Sequence, residues 1–216
     1  MRNFILLIAA ASFFTACNNS TQTKRSFCDT TNCKPDSLVV KESIHFNPTA
    51  SVYIDNCMPD SISWTHDRLE NNRQIKVSEY INQPVKVNKS NMSIAITDTS
   101  DVWVAFNDCI TGRGYLLKLP FRKGNGLQTL TGALNSFDPK FSLDPDLRAY
   151  TDRGSIYVVN VKTGKQEQMT FKENYKDMDF NDIHKVLDSI HVTKDRIYVK
   201  LLKNGQEVPF EKNVSL

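Results

Sequence analysis

Three polar side chains in the last fifth of the chain have the types and spacing of a metal site. Apolar residues recur at helical spacing between positions 180 and 190, which predicts one short helix near 181–189. On this helix His184, Asp188 and His191 stand at positions i, i+4 and i+7, on one face. Two imidazoles and a carboxylate so arranged could bind zinc and serve a metal-dependent hydrolase. The alternative is a solvated helix face, with His191 already in the following strand.

The same stretch also has the spacing of a calcium loop. Asp177, Asp179, Asn181 and Asp188 occupy positions 1, 3, 5 and 12 of an EF-hand-like pattern. Asp182 stands where such a loop needs glycine for its sharp turn. The alternative is a cluster of acidic residues at a helix N-terminus, where the helix dipole favours negative charge.

Four cysteines form a second group with possible chemistry: Cys28, Cys33, Cys57 and Cys109. An even number in an exported chain predicts two disulfides, with three possible pairings that the sequence cannot separate. The simplest joins Cys28 to Cys33 and leaves Cys57 with Cys109. Cys-x4-Cys would also suit half of a zinc site. However, no second closely spaced pair exists, and an oxidising compartment disfavours free thiolates.

Trp64 and His66 are the candidate binding residues. Trp64 ends a predicted strand beside a polar turn, which favours a surface anchor for a ligand. His66 with Asp67 could form half of an acid–base pair. The chain has no Gly-x-Ser-x-Gly or His-Glu-x-x-His motif and no phosphate-binding glycine loop, so no catalytic residue is predicted.

A β-rich scaffold must position these side chains. From position 43 onward the chain reads as short strands with alternating apolar residues, separated by turn residues such as Asn204–Gly205. The clearest predicted strands are Val52–Ile54, Ser61–Trp64, Ile75–Val77, Ser93–Ile96, Val102–Phe106, Tyr115–Leu119, Ile156–Val161 and Ile197–Leu202.

The strands also repeat. Serines at positions 43, 93, 142 and 189 each begin or sit within a short apolar run, at steps of 50, 49 and 47 residues. A period near this length is typical of propeller blades. The prediction is an all-β, propeller-like antiparallel meander of about four small sheet units; the alternative is a twisted β-sandwich.

One of these units resembles a known repeat. Residues 139–164 contain a Phe141–Ser142 start, an Ala149–Tyr150 strand and an Ile156–Val158 run that leads to a glycine turn. This order resembles a blade of the TolB-type, WD40-like β-propeller repeat. Pro145 and Asp146 occupy the turn where that repeat usually has Asp-Gly. The resemblance implies an architecture and not an activity.

The N-terminal residues indicate where the protein is located. Arg2 precedes an apolar run over positions 4–14, and Thr15-Ala16-Cys17 follows, as in a secretory signal peptide. This ending resembles the lipobox of bacterial lipoproteins, which implies that Cys17 is acylated. The predicted organisation is a signal peptide over 1–16, a lipidated cysteine with a polar tether over 17–42, and one β domain over 43–216. Asn18, in place of aspartate, favours the outer over the inner membrane.

Charge and composition narrow the function. Without residues 1–16 the chain keeps 26 basic residues (27 minus Arg2) and 24 acidic ones, a net charge of +2. This nearly balanced charge argues against nucleic-acid binding. The sequence predicts a lipid-anchored, non-catalytic binding module of the cell envelope that engages a protein or glycan through its loops. A periplasmic toxin-immunity protein is one form of it. The alternative is the metal-dependent hydrolase, and no cofactor other than zinc or calcium is suggested.

Overall fold

A computed structural model of the chain describes residues 27–97, 100–171 and 183–216. These residues form strands connected by turns, with one four-residue α-helix and two single-turn 3₁₀ helices. The all-β class is therefore confirmed, and each predicted strand overlaps an observed one.

The elements follow one another without long connections in the described ranges. The strands are β1 (Asp36–Lys41), β2 (Thr49–Asp55), β3 (Met58–Thr65), β4 (Arg73–Lys76), β5 (Met92–Thr97), β6 (Asp101–Asn107), β7 (Gly114–Pro120), β8 (Gln128–Ala133), β9 (Phe141–Leu143), β10 (Leu147–Asp152), β11 (Ser155–Asn160), β12 (Gln166–Thr170), β13 (Leu187–Val192), β14 (Arg196–Lys203) and β15 (Gln206–Asn213). The helix α1 (Ile183–Val186) precedes β13, and the 3₁₀ helices are Val77–Glu79 and Lys89–Asn91.

The strands form four successive antiparallel meanders, β1–β4, β5–β8, β10–β12 and β13–β15, but the described residues make three sheets. The first sheet has the order β1-β2-β3-β4. The second and third meanders merge into one curled seven-stranded sheet, because β8 pairs with β10 at Ala133 and Tyr150. The short strand β9 joins the last sheet by parallel pairing with β13, where Phe141 lies opposite Ile190.

The structure differs from the predicted repeat at two of its four positions, the first (Ser43) and the third (Ser142). Ser43, the first repeat position, precedes a turn and not a strand. Within 139–164, β10 and β11 form the predicted hairpin, closed by Arg153 and Gly154 with positive φ. The Phe141–Ser142 start leaves this hairpin and pairs with the last sheet.

Alternation along β6 shows how the layers pack. Val102, Val104 and Phe106 are fully buried against the first sheet, whereas Trp103 and Ala105 contribute to a separate cluster on the opposite face of the curled sheet. A strand that is buried on both faces reads as a continuous apolar run, as this one does. A third cluster joins β10–β12 to the last sheet. The buried residues therefore form three separate cores and not one continuous core.

The folded part of the chain begins before the predicted boundary at position 43. The strand β1 pairs with β2 along six residues, and Cys28 and Cys33 are both disulfide-bonded. The prediction that 17–42 is a tether was therefore wrong for residues 27–42. Positions 17–26, including Cys17, lie outside the described residues.

The predicted helix near 181–189 is also shorter than expected. It ends at Val186, and the buried Leu187 begins β13, because the apolar side chains after this point pack into the sheet core. No helix in the described ranges has the length and apolar character needed to cross a membrane.

Candidate binding site at the loop end of the first sheet

The four cysteines pair differently from the simplest prediction. Cys28 bonds to Cys109 and Cys33 bonds to Cys57, so the preferred local pairing of Cys28 with Cys33 was wrong. The reason is tertiary: residues 27–33 run beside the β2–β3 turn and the loop before β7, which brings distant cysteines to Cα separations of 4.8 and 4.7 Å.

One peptide unit connects the two disulfides. The carbonyl of Lys86 accepts from the Cys109 N–H at 2.7 Å, and the N–H of Val87 donates to the Cys57 carbonyl at 2.8 Å. Because the two groups of one peptide point in opposite directions, Cys57 and Cys109 lie on either side of it. Two strand spacings separate them, about 10 Å. We call these four cysteines with Lys86 and Val87 the disulfide end.

The predicted metal residues do not share a helix face. Asp188 lies at a register shift within β13, and His191 is an exposed residue of that strand opposite Tyr198. The helical spacing that brought them together is absent because α1 ends before both. The side chain of His184 and the predicted calcium ligands at 177–181 lie outside the described part. Among the side chains that are described, no group of three or more histidine, cysteine, aspartate or glutamate residues could hold a metal ion.

Trp64 is a core residue and not a surface anchor. Its side chain is 5% exposed, packs in the core between the first two sheets, and donates from Nε1 to the Pro120 carbonyl at 3.1 Å. The prediction of a ligand anchor was wrong because the strand β3 continues to Thr65 with this face turned inward. Trp64 instead ties β3 to the end of β7.

Hydrogen bonds join the β1–β2 turn to the β3–β4 loop, close to Trp64 in the chain. Phe46 and Asn47 in the β1–β2 turn have φ values of 65° and 44°. The Phe46 carbonyl accepts from the Asp67 N–H at 2.9 Å, and Asn47 Nδ2 donates to Asp67 Oδ2 at 2.7 Å. These bonds fix the turn to the β3–β4 loop, at the far end of the sheet from the cysteines.

Aromatic and basic side chains stack on this turn. The Arg68 guanidinium lies 4.0 Å from the centre of the Phe46 ring. The His66 ring lies 5.9 Å from that ring and 5.1 Å from Phe121, and the His45 ring lies 3.6 Å from Phe46. We call His45, Phe46, His66, Arg68 and Phe121 the loop end.

The loop end is accessible and has several hydrogen-bond donors. His45 and Arg68 are exposed, Phe46 and His66 are half-buried, and Phe121 is buried beneath them. The Arg68 N–H donates to His66 Nδ1 at 3.2 Å, which leaves the Nε2 of the neutral ring as a donor. A guanidinium over an aromatic ring offers both planar donors and an apolar face. This arrangement presents hydrogen-bond donors and aromatic faces to a ligand.

Sequence reasoning selected His66 but missed its neighbours. His45 and Phe46 follow Ser43, the first position of the predicted repeat, and were not selected, although Asn47–Pro48 is a dipeptide that marks turns. Arg68 and Phe121 carry no local signal, because only the pairing of β3 with β2 and the packing on β7 bring them together.

No protein-family model, curated protein or solved structure matches this chain.

Proposed function

We propose that this protein is a non-catalytic binding module of the cell envelope, held at a membrane by an acyl group on Cys17. Its ligand binds at the loop end. The N-terminal pattern that ends in Thr15-Ala16-Cys17 supports the anchor. The exposed donors and aromatic faces of the loop end support the binding surface.

The observation that carries the proposal is the backbone of Phe46. A bulky residue at φ 65° is uncommon, and the left-handed region costs about 1–2 kcal/mol for a residue other than glycine. Residues held in such conformations concentrate at binding and active sites. Here the strained backbone position carries the aromatic ring on which Arg68 stacks. Glycine would adopt this backbone conformation at no cost but would leave the guanidinium without its stacking partner.

The chemistry of the loop end indicates the class of ligand. Arg68 presents planar donors that suit a carboxylate, and exposed His45 lies against the same aromatic ring. A ligand with a flat apolar face beside acidic or hydroxyl groups fits this surface. An acidic envelope glycan and an acidic loop of an envelope protein, including a toxin, both meet the description.

A charge reversal at Arg68 tests the binding surface. The full chain and its Arg68→Glu variant are photo-crosslinked in envelope extract, with Arg153→Glu as the matched control. Arg153 is exposed like Arg68, but it lies in the β10–β11 turn, away from the loop end. We expect the crosslinked species to disappear with Arg68→Glu and to persist with Arg153→Glu. Equal crosslinking of all three proteins contradicts the proposal.

The anchor has its own test. Intact mass measurement of the protein from membranes of the expressing cell should show a chain that begins at Cys17 and carries acyl groups. The Cys17→Ser variant should carry no acyl group and should bind membranes more weakly than the acylated chain. An unmodified thiol at position 17 would remove the membrane from the proposal.

A further inference from the structure

We infer that the disulfide end is a membrane-docking surface that rests on the bilayer, with the loop end directed away from it. The inference depends on the proposed anchor for its orientation. The surface itself consists of side chains outside the anchor, chiefly Phe27, Met58 and Ile110.

Three of the seven large apolar side chains that are exposed in the described ranges lie at the disulfide end. Phe27, Met58 and Ile110 are 46%, 39% and 47% exposed, and each directly neighbours a disulfide-bonded cysteine. Their backbone is held by these bonds and by the Phe27 N–H, which donates to the Cys109 carbonyl at 2.7 Å. Because Cys57 and Cys109 lie on either side of one peptide, these exposed residues occupy neighbouring backbone positions, and grouped exposed apolar residues mark an interaction surface.

An open groove lies beside Met58. It has a volume of about 530 Å³ and separates the β2–β3 turn from the segment 77–85. Its apolar lining comes from Met58, Pro59, Val77, Ile81, Pro84 and Val85. Asp55 and Asp60 also line it, so two carboxylates stand beside the apolar side chains. The apolar side chains can enter the headgroup–acyl boundary of a bilayer, where polar groups stay among the headgroups.

The length of chain before the described residues selects the membrane as the occupant. Cys17 and Phe27 are ten residues apart, which limits the distance between them to about 35 Å. The described chain begins at the disulfide end. The seven residues of β2 separate that end from the loop end by about 23 Å. The point of lipid attachment is therefore nearer along the chain to the disulfide end than to the loop end.

A pair of tryptophan variants tests which end contacts lipid. Ile110→Trp places a fluorescent probe at the disulfide end. Ile44→Trp places one at the loop end, at a position where the natural side chain is 39% exposed. The full acylated chain is added to vesicles of phosphatidylethanolamine and phosphatidylglycerol with brominated acyl chains. The emission of the native residues Trp64 and Trp103, both 5% exposed, is measured with the unchanged chain and subtracted.

We expect the emission of Ile110→Trp to shift to shorter wavelength and to be quenched, and that of Ile44→Trp to stay unchanged. Equal quenching of both probes, or of neither, would overturn the inference. A concentration-dependent shift of the Ile110→Trp emission without vesicles would also overturn it, since a second copy of the chain would then cover this surface.

Serine variants separate this inference from the anchor. Met58→Ser and Ile110→Ser should each weaken the vesicle binding of the unacylated Cys17→Ser chain about tenfold, because a buried side chain of this size contributes that much. Ile44→Ser should leave it unchanged. If the natural chain is not acylated but this difference holds, the anchor fails and the docking surface stands. If the anchor is present and the difference is absent, the docking surface fails alone.

Discussion

The two ends of the first sheet are both built from loops between the same strands, yet they are held by different means. At the disulfide end, four chain segments are joined by two disulfide bonds and by the Lys86–Val87 peptide, which makes a hydrogen bond on each side. At the loop end, the turn is held by two hydrogen bonds and a stack of rings. The turns at both ends contain two positive-φ residues, at 46–47 and 56–57.

This difference separates stability from recognition. Covalent bonds fix the disulfide end, where exposed apolar side chains such as Met58 and Ile110 lie among exposed polar ones such as Asp29 and Asn56. The loop end keeps a guanidinium and imidazoles accessible, and its strained turn depends on weaker contacts. We therefore expect substitutions at the disulfide end to change folding most, and those at the loop end to change binding at small cost to folding.

The largest effect should come from the disulfides. The bond between Cys28 and Cys109 spans 81 residues, and that between Cys33 and Cys57 spans 24. Chain-entropy arguments give about 4.5 and about 3.4 kcal/mol of stabilisation. The Cys28→Ser/Cys109→Ser variant should lose more stability in urea unfolding than Cys33→Ser/Cys57→Ser. Because one loop lies within the other, the losses should not add.

A peptide map under non-reducing conditions is the control for this prediction. It should recover peptides that join Cys28 to Cys109 and Cys33 to Cys57. A linked pair of Cys28 and Cys33 would contradict both the pairing and the order of the two variants.

A smaller effect is expected at Trp64, which supports the loop end from below. Trp64→Phe removes the hydrogen bond to the Pro120 carbonyl as well as ring volume, and should lower the free energy of unfolding by about 2 kcal/mol. Trp103→Phe is the matched control. Trp103 is equally buried and makes no side-chain hydrogen bond within the described ranges, so its loss should be about 1 kcal/mol smaller. Equal losses would show that the Pro120 bond contributes nothing.

The strain at Phe46 predicts an unusual order of two variants. Phe46→Ala and Phe46→Gly both remove the ring, but only glycine adopts φ 65° without steric cost. The glycine variant should therefore be more stable than the alanine variant by about 1 kcal/mol in thermal or urea unfolding. Both should lose ligand crosslinking at the loop end. A more stable alanine variant would show that the turn is not strained.

The smallest effect concerns acid. The hydrogen bond from Lys89 lowers the pKa of Asp36, and the Thr31 N–H lowers the pKa of Asp29. Both carboxylates therefore stabilise the region of the disulfide end above the usual aspartate pKa, about 4, and lose this contribution as pH falls through their lower folded values.

A carboxyl titration by nuclear magnetic resonance measures this acid effect. Both groups should titrate at lower pH than aspartate in a peptide. Lys89→Met should return the pKa of Asp36 toward its ordinary value and leave that of Asp29 unchanged. A titration of Asp36 that does not respond to this variant would contradict the role of the 3.0 Å pair.

Much of the fold was predictable from local pattern. Apolar runs placed β6 and β7 correctly, and Asn204–Gly205 closes the β14–β15 hairpin with φ values of 52° and 77°, as the dipeptide predicts. The helix near 181–189 was overextended because buried residues at helical spacing, such as Leu187 and Ile190, also fit a strand that packs against a core.

The candidate site was less predictable. His66 was selected because it stands beside Asp67 and could form half of an acid–base pair, whereas Trp64 was misplaced because a strand end gives no information about which face is covered. Phe46 and Arg68 are 22 positions apart, and no periodic signal connects them. Their contact depends on the register of β2 with β3 and on the turn before Pro48.

The sequence by itself determined the all-β class, most strand positions, the presence of paired cysteines and the pattern expected of an acylated N-terminus. These features depend on local periodicity and residue type. Only the tertiary structure decided which cysteines pair, that two meanders merge through Ala133 and Tyr150, and that Arg68 lies over Phe46. Such contacts join residues far apart in the chain, and their choice depends on sheet register and shared burial, which no short window of sequence contains.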